Sequence, residues 1–560
     1  MLASAQPRTG AEILVDALRA NGLTTAFGVP GESYLAVLEA MRAGGGFDFI
    51  TCRQEGGAAM MADAAGRLTG RPGVCFVTRG PGATNAASGL HVAMQDSTPL
   101  LLFVGQVERG FRGREAFQEL DYRETFAGLA KWAVEIDDPA RIPELIARAI
   151  RTATQGRPGP VVIALPEDML TETATVADAA AVFPAETWPG LADMAQLQKL
   201  LWAAKRPIAL VGGGRWSAKA AQSLARFAER FKLPVSVTFR RQMLFPADHP
   251  SYAGEFGIGP NPALLARVTE ADLVLLIGGR LGEMPSQGYT ALEIPTPRQT
   301  LVHVHADPLE LGRVYQPALA INASPNAFAA ALEGVQPPNR IAWEDDTPAA
   351  HADYLAWSEA AAEHPGAVQM DEVVQALRAL PADAVICNGA GNYATWVHRF
   401  HRFRAYGSQA APTSGSMGYG VPAAVAAKRL FPDREVVAFA GDGCFLMTGQ
   451  ELATAAQYGL AIVVVVVDNG QYGTIRMHQE REYPGAPFGT ALENPDFAAL
   501  ARAYGAAGFT VSERGAFAAA FAEARAAGRP ALIHVKLDPE AISPTTTLSA
   551  IRAKALAARG

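Results

Sequence analysis

The stretch Arg434–Gly473, REVVAFAGDGCFLMTGQELATAAQYGLAIVVVVVDNGQYG, decides the fold. It opens with an apolar run, Val436–Ala440, that ends in Gly441-Asp442-Gly443. In the helix-like segment that follows, Thr448 and Glu451 have the T-x-x-E spacing of a capping box, and Gly459 suits the position just past a helix end. A second apolar run, Leu460–Val467, then closes on Asp468-Asn469. Unbroken apolar strands on either side of a helix read as a βαβ unit whose parallel strands are buried on both faces. Adjacent parallel strands bring their carboxyl ends together, at the edge where open α/β sheets bind ligands. Asp442 and Asn469 are therefore expected at one edge. A carboxylate, a side-chain amide and a backbone carbonyl form a hard-oxygen set suited to Mg²⁺, with phosphate oxygens completing the octahedron. Taken singly, each turn reads more simply as an ordinary Asp/Asn/Gly turn; their pairing across one unit favours a shared site.

Working outward, strand-like runs of the same kind recur along the chain: GVCFVT, PLLLFVG, PVVIALP, PIALVGG, ADLVLLIGG and AVICNG. Alanine-rich amphipathic stretches separate them, which predicts α/β architecture with doubly wound parallel sheets. Two stretches break the pattern and read as linkers, Thr171–Gly190 and the Pro- and acid-rich Glu333–Ala350. They divide the 560 residues into three expected domains, 1–170, 191–335 and 351–560. A net charge of −7 with no Lys/Arg cluster argues against a nucleic-acid surface. The apolar runs are strand-sized, far short of the roughly 20 residues of a membrane span. The N-terminus has no basic start followed by an apolar core, so no signal peptide is expected. Cys52, Cys75, Cys387 and Cys444 are scattered without a C-x-x-C pair, which fits a reducing cytoplasm better than a disulfide framework or a zinc site.

Gly-Asp-Gly followed, after an apolar strand, by Asp468-Asn469 resembles the signature of thiamine diphosphate (ThDP) enzymes. The more usual Asn-Asn appears here as Asp-Asn, with the second position intact. The resemblance implies that Asp442, the Asn469 side chain and the Gln471 carbonyl hold Mg²⁺ against the cofactor's diphosphate. It also implies cofactor contacts from Gly441, Gly443, Cys444, Tyr472 and Gly473. Upstream, ICNGAGNYATW contains Gly389-x-Gly391-x-x-Ala394, a dinucleotide-type fingerprint. That fingerprint requires an acid about 20 residues on, and none occurs before Asp433, so an NAD dehydrogenase reading is weak. The resemblance instead assigns Asn392 and Tyr393 to the diphosphate. In APTSGSMGYGVPAAVAAK, Met417 sits within a glycine-rich turn before a helix. An isolated methionine there reads as core filling. By resemblance it is the wedge that forces the cofactor's rings into a V, with the Gly415 backbone receiving the pyrimidine amino group.

The cofactor's aminopyrimidine must be activated by a buried carboxyl group, whose pKa burial should raise. In FDFITCRQEGGAAMMADAAGRLTG, Glu55 stands where a strand runs into a helix. An acid there could equally be a charge placed at a helix N-terminus; the likeness to the ThDP-enzyme pyrimidine domain makes it the activating acid. The first block further resembles the acetohydroxyacid (acetolactate) synthase branch through RGPGATN, DSTPLLLFVGQV, EAFQELD and LAKWAVEI. That likeness places Phe117 and Gln118 on the substrate side and Lys131 near the entrance. The simpler readings are core packing for Phe117 and a solvated charge for Lys131.

Two departures bear on substrate. Where those synthases carry an arginine for the second oxoacid's carboxylate, GGRLGEMPSQGY places Met284. Where they carry a tryptophan that selects the acceptor, GTIRMHQE places His478. The glycine turns LVGGGRWS and GEFGIGPNP suit phosphate, so FAD or ADP in the central block stays open. The implied function is ThDP/Mg²⁺-dependent decarboxylation and/or carboligation of a 2-oxo acid. The alternatives are a 2-hydroxyacyl-CoA lyase or oxalyl-CoA-type decarboxylase, and a non-catalytic regulatory homologue. The expected assembly is a homodimer or homotetramer with active sites at subunit interfaces, acting on small molecules.

Overall fold

The computed structural model describes residues 6–359, 361 and 363–559. They form two compact units, one running to Ala185 and including Val425–Leu430, the other comprising Glu186–Ala424 and the chain from Phe431 onward. Three six-stranded sheets organise them, and within each sheet every neighbouring pair is parallel.

In the first unit β1 (Arg8–Thr9) leads into β2 (Thr25–Gly28), β3 (Asp48–Thr51), β4 (Gly73–Val77), β5 (Leu100–Gln106), β6 (Trp132–Glu135) and β7 (Pro160–Pro166). β8 (Thr173–Ala174) then returns antiparallel to β1. The sheet order is β3-β2-β4-β5-β7-β6. β4, β5 and β7 are buried along their whole length, which is why they are unbroken apolar runs and not alternating ones. The helix Gly10–Ala20 starts with a capping box: Glu12 N–H donates to Thr9 Oγ1 at 3.3 Å and Thr9 N–H donates to the Glu12 carboxylate at 2.8 Å. A cap of this kind contributes about 1 kcal/mol.

The second unit holds two sheets. β9 (Pro207–Val211), β10 (Val235–Thr238), β11 (Tyr252–Phe256), β12 (Leu273–Ile277), β13 (Thr300–His305) and β14 (Leu319–Asn322) follow the order β11-β10-β9-β12-β13-β14. β15 (Val385–Asn388), β16 (Gln409–Ala410), β17 (Val436–Gly441), β18 (Val463–Asp468), β19 (Ala507–Val511) and β20 (Ala531–Lys536) follow β16-β15-β17-β18-β20-β19, the same winding as the first sheet. In the last sheet the chain goes outward from β15 to β16 and then crosses back to β17. The carboxyl ends of β15 and β17 therefore flank a topological switch point, where such sheets open a crevice.

Two expectations need correction. The segment between β17 and β18 is not one capped helix but two short ones, Asp442–Thr448 and Glu451–Gln457. Thr448 ends the first and donates its hydroxyl to the Gly418 carbonyl, while the buried Glu451 carboxylate accepts from Thr454 Oγ1 at 2.6 Å. Both side chains turn into the protein, so no capping box forms. Gly459 does end the segment with a positive φ of 62°. The stretch Glu333–Ala350 is not a loose connector either. Val335 and Trp343 join the core of the central sheet, Trp343 Nε1–H donates to the Phe231 carbonyl, and a helix begins at Asp346. All four cysteines are buried, and no helix among the described residues is long and apolar enough to cross a membrane.

Candidate active site

Register places the quoted stretch's polar ends together. Gly441 of β17 pairs with Val467 of β18, so Asp442 and Asp468-Asn469 leave the sheet side by side. Asp442 is buried. Its Oδ1 accepts from Gly443 N–H at 2.9 Å, and its Oδ2 accepts from Gln471 N–H at 3.2 Å and from Asn494 Nδ2 at 2.8 Å. Burial raises its pKa, and the neighbouring Asp468 charge adds to that. Asp468 differs. Burial raises its pKa too, but hydrogen bonds from His534 Nε2 at 2.7 Å, Lys536 Nζ at 2.9 Å and Asn494 Nδ2 at 2.8 Å hold the carboxyl well below its usual range. The Asn469 amide lies over Gly473, where a Cβ would come within 3.0 Å of Nδ2. Gly443 likewise leaves room for the Tyr472 ring, which a Cβ there would meet at 2.5 Å.

The turn after β15 faces the same edge. Asn392 Oδ1 accepts from Thr474 Oγ1 at 2.8 Å, tying this turn to the helix Gly473–Glu482. Tyr393 and Cys444 are buried beneath it: Gly389 N–H donates to Tyr393 OH at 3.0 Å, and the Cys444 thiol lies 3.4 Å from that hydroxyl and 3.2 Å from Gly418 N. Burial pushes both pKa values up. Met417 is half-buried and Gly415 exposed, with φ 69°, in the turn before the helix Gly420–Leu430. The central sheet anchors this turn. Arg240 Nη1 donates to the Pro412 carbonyl at 2.6 Å, and Gln242 exchanges hydrogen bonds with Gln409 while donating to the His398 carbonyl.

In the other unit, Glu55 is the first residue of the helix Glu55–Thr69, half-buried, with Oε2 accepting from Asn85 Nδ2 at 3.0 Å. Gln54 caps that helix by accepting from Gly57 N–H. A Cβ on Gly82 would lie 3.4 Å from Glu55 Oε1, so the glycine leaves that face of the carboxylate open. Gln118 adopts φ 65° and lies against Gly80, while Phe117 is 73% exposed, so core packing does not explain it. Lys131 is no freely solvated charge: its ammonium donates to the Gln155 and Arg157 carbonyls at 2.9 and 2.7 Å. Met284 lies half-buried in a run of turns, and His478 is exposed on the helix Gly473–Glu482. The central glycine turn is closed tightly: a Cβ on Gly213 would sit 1.8 Å from Gly278 O, Trp216 Nε1–H donates to Gly212 O, and Arg241 Nε donates to Gly213 O.

Models of the thiamine pyrophosphate enzyme match part or all of each of the three sheets: the N-terminal TPP binding domain at residues 8–125, the central domain at 194–332 and the C-terminal TPP binding domain at 389–535. The chain belongs to the thiamine pyrophosphate enzyme family. Within that family it is of the acetolactate synthase type. It is 33% identical over 534 residues to the acetolactate synthase isozyme 2 large subunit of Escherichia coli K12, covering 94% of this chain and 95% of that one. It is 34% identical to the acetolactate synthase large subunit of Parasynechococcus marenigrum (91% and 84% covered) and 30% identical to the probable large subunit of Methanocaldococcus jannaschii (96% and 93%). In this thiamine pyrophosphate enzyme, sequence reasoning missed Asn494, His534 and Lys536. Asn494 lies outside any regular element, in LENPDF. His534 and Lys536 sit on β20, whose ALIHVK offered a signal only in its short apolar run before the histidine.

Proposed function

We propose that this enzyme binds ThDP through Mg²⁺ and decarboxylates a 2-oxo acid, passing the remaining carbons to an acceptor or releasing them. The carrying observation is a charge imbalance between two neighbouring carboxylates. Lys536 and His534 engage Asp468, whereas the donors bonded to the buried Asp442 are all neutral among the described residues. A buried carboxylate without a cationic partner is costly, and a divalent ion bound there relieves the cost. Among the described residues no three His, Cys, Asp or Glu cluster as a metal site. The set that the resemblance implies, one carboxylate (Asp442), one amide (Asn469) and one carbonyl (Gln471), suits Mg²⁺ and would leave positions for phosphate oxygens. A further fit is Asn494 Oδ1, a buried acceptor with no hydrogen-bond partner, which a metal-held water would satisfy.

ThDP, when bound, supplies the carbon nucleophile and electron sink for loss of CO₂. The chain's part is to orient it and manage its protons. Gly441, Gly443, Asn392, Tyr393, Cys444, Tyr472 and Gly473 would shape the diphosphate cradle, Met417 would support the cofactor's rings, and the Gly415 carbonyl would accept from its pyrimidine. Glu55 would hold the proton for pyrimidine N1′, its carboxylate kept in place by Asn85 and by the N-terminal end of its own helix. Gln118 and Phe117 would line the substrate side, with Lys131 near its entrance. FAD or ADP at the central glycine turns is a further part of this reading, and the visible spectrum of the purified protein decides the flavin. A cytoplasmic homodimer or homotetramer completes the proposal.

Met284 supports a second reading. An apolar side chain where an arginine would grip a second oxoacid removes a charge-assisted bond. That favours a 2-hydroxyacyl-CoA lyase or an oxalyl-CoA-type decarboxylase. A ThDP/Mg²⁺ assay over 2-oxo acids and 2-hydroxyacyl-CoA thioesters, following CO₂ and products, separates the two. Glu55→Gln should abolish turnover while ThDP still binds; a fully active variant refutes the role given to Glu55.

A further inference from the structure

Asn494 is the residue at which the two carboxylates of the site meet. Its single amide nitrogen lies 2.8 Å from Asp442 Oδ2 and 2.8 Å from Asp468 Oδ1. An amide NH₂ has two hydrogens and no lone pair to offer, so each hydrogen goes to one carboxylate and the amide has a single orientation. Asp468 is in turn held by Gly470 N–H, His534 and Lys536, and so cannot swing. His534 and Lys536 both belong to β20, which pairs with β18 from Val463 through Asp468, so the anchor is part of the sheet itself.

We propose that Asn494 is a positioning residue that transmits the fixed place of Asp468 to Asp442 and so sets the orientation of the metal-binding carboxylate. The inference rests on the reading of Asp442 as a magnesium ligand. Without the amide, two carboxylates would face each other across the gap, and Asp442 would be held only by the Gly443 and Gln471 N–H groups, losing its one side-chain partner. The arrangement also accounts for aspartate at 468. An ionised carboxylate accepts at both oxygens and can hold Lys536, His534 and Asn494 together, whereas an asparagine would present one acceptor and one competing donor.

Outer residues that orient a metal ligand are worth about 10–100-fold in metal affinity when removed. Mn²⁺ titrated into the full-length protein with ThDP present, read by electron paramagnetic resonance, measures this without turnover. Asn494→Ala should weaken Mn²⁺ binding on the order of tenfold or more and broaden the bound-ion spectrum. Asn494→Asp should weaken it as well, since a carboxylate has no hydrogens for its neighbours. The thermal melt of the metal-free protein shows that each variant is folded. Asp442→Ala is the reference. If Asp442→Ala abolishes Mn²⁺ binding while both Asn494 variants bind with wild-type affinity, the positioning role is overturned and the metal reading stands. If Asp442→Ala also binds normally, both are overturned.

Discussion

Gly443→Ala sets two physical effects against each other at the centre of the candidate site. Gly443 lies within the helix Asp442–Thr448 and its φ is not positive, so alanine fits the backbone. Helix propensity alone would favour the change by up to about 1 kcal/mol. The new Cβ, however, would stand 2.5 Å from Tyr472 Cε1, 3.0 Å from Cδ1 and 3.3 Å from Leu492 Cδ1. Restoring an ordinary carbon–carbon contact of about 3.5 Å requires the ring to move by about 1 Å. The backbone that carries the ring has little freedom to retreat, because Tyr472 N–H is bonded to the Thr490 carbonyl at 2.8 Å and Leu492 N–H to the Gly470 carbonyl. Overpacking of this kind costs about 1–3 kcal/mol, so sterics win. The displaced residue lies between Gln471 and Gly473, so the strain falls on the proposed metal-binding turn. ThDP affinity in Mg²⁺, followed by tryptophan fluorescence, should fall about tenfold for each 1.4 kcal/mol carried there. Tyr472→Ala removes the obstructing ring. In the double variant the two losses should therefore be less than additive by about 1 kcal/mol, a coupling expected only of groups in contact. Wild-type affinity in Gly443→Ala, or strictly additive losses in the double variant, would refute the argument.

Three further outcomes follow from buried and half-buried charges. The fully buried Glu480 accepts from Arg552 and Gly485 and pairs with Arg476; Arg552 above all lowers its pKa to about 2. Glu480→Gln should cost about 3–5 kcal/mol in a denaturant melt at neutral pH. Because the folded pKa is depressed, that contribution exists above the ordinary carboxylate range and fades as pH falls towards 2, so the two proteins' melts should converge in acid. Glu255 is the opposite case: burial raises it to about 7, against hydrogen bonding from Arg240 N–H. A raised carboxylate makes the folded state bind the extra proton, so stability should decline from about pH 4.5 to pH 7, and Glu255→Gln should flatten that decline in a melt-versus-pH series. Lys131→Met leaves the Gln155 and Arg157 carbonyls without their donor and should lower stability by about 1–3 kcal/mol in the same assay.

The fold was legible where strands are buried on both faces. GVCFV, LLLFVGQ, PIALV, LVLLI and VVVVVD have no polar residue to blur them apart from one glutamine and a terminal aspartate. Strands carrying buried histidines were harder to read. β13 holds His303 and His305, and burial pushes the first down to about 4 and lowers the second, so both sit in the core as neutral rings. A sequence scan scores them as polar, although the sheet treats them as apolar. His534 on β20 escaped for the same reason, and with it the partner of Asp468. The Thr448–Glu451 spacing misled because a capping box needs the two side chains to serve each other's backbone, and here Thr448 turns to the distant Gly418 carbonyl while Glu451 accepts from Thr454 one turn on in its own helix. Asn494 has no local signature at all. Its significance lies in two strand ends remote in sequence, and only the register of β17 against β18 brings them to it.

That contrast bears on how chemistry and specificity divide in this molecule. The residues proposed to hold the metal and cofactor leave the ends of buried strands, where sheet hydrogen bonds over-determine their position. The residues that depart from the synthase pattern do not. Met284 is in a run of turns and His478 is on an exposed helical surface; Phe117, on the proposed substrate side, lies in a loop and is largely in water. Side chains in such places are not pinned by a packed core, so they can be exchanged with little effect on folding, and binding functions concentrate there for that reason. A chain can therefore keep Asp442, Asn469 and Glu55 intact while its acceptor changes. Substitutions at Met284 and His478 should then alter which acceptor is used, while strand-end substitutions should alter whether any reaction occurs.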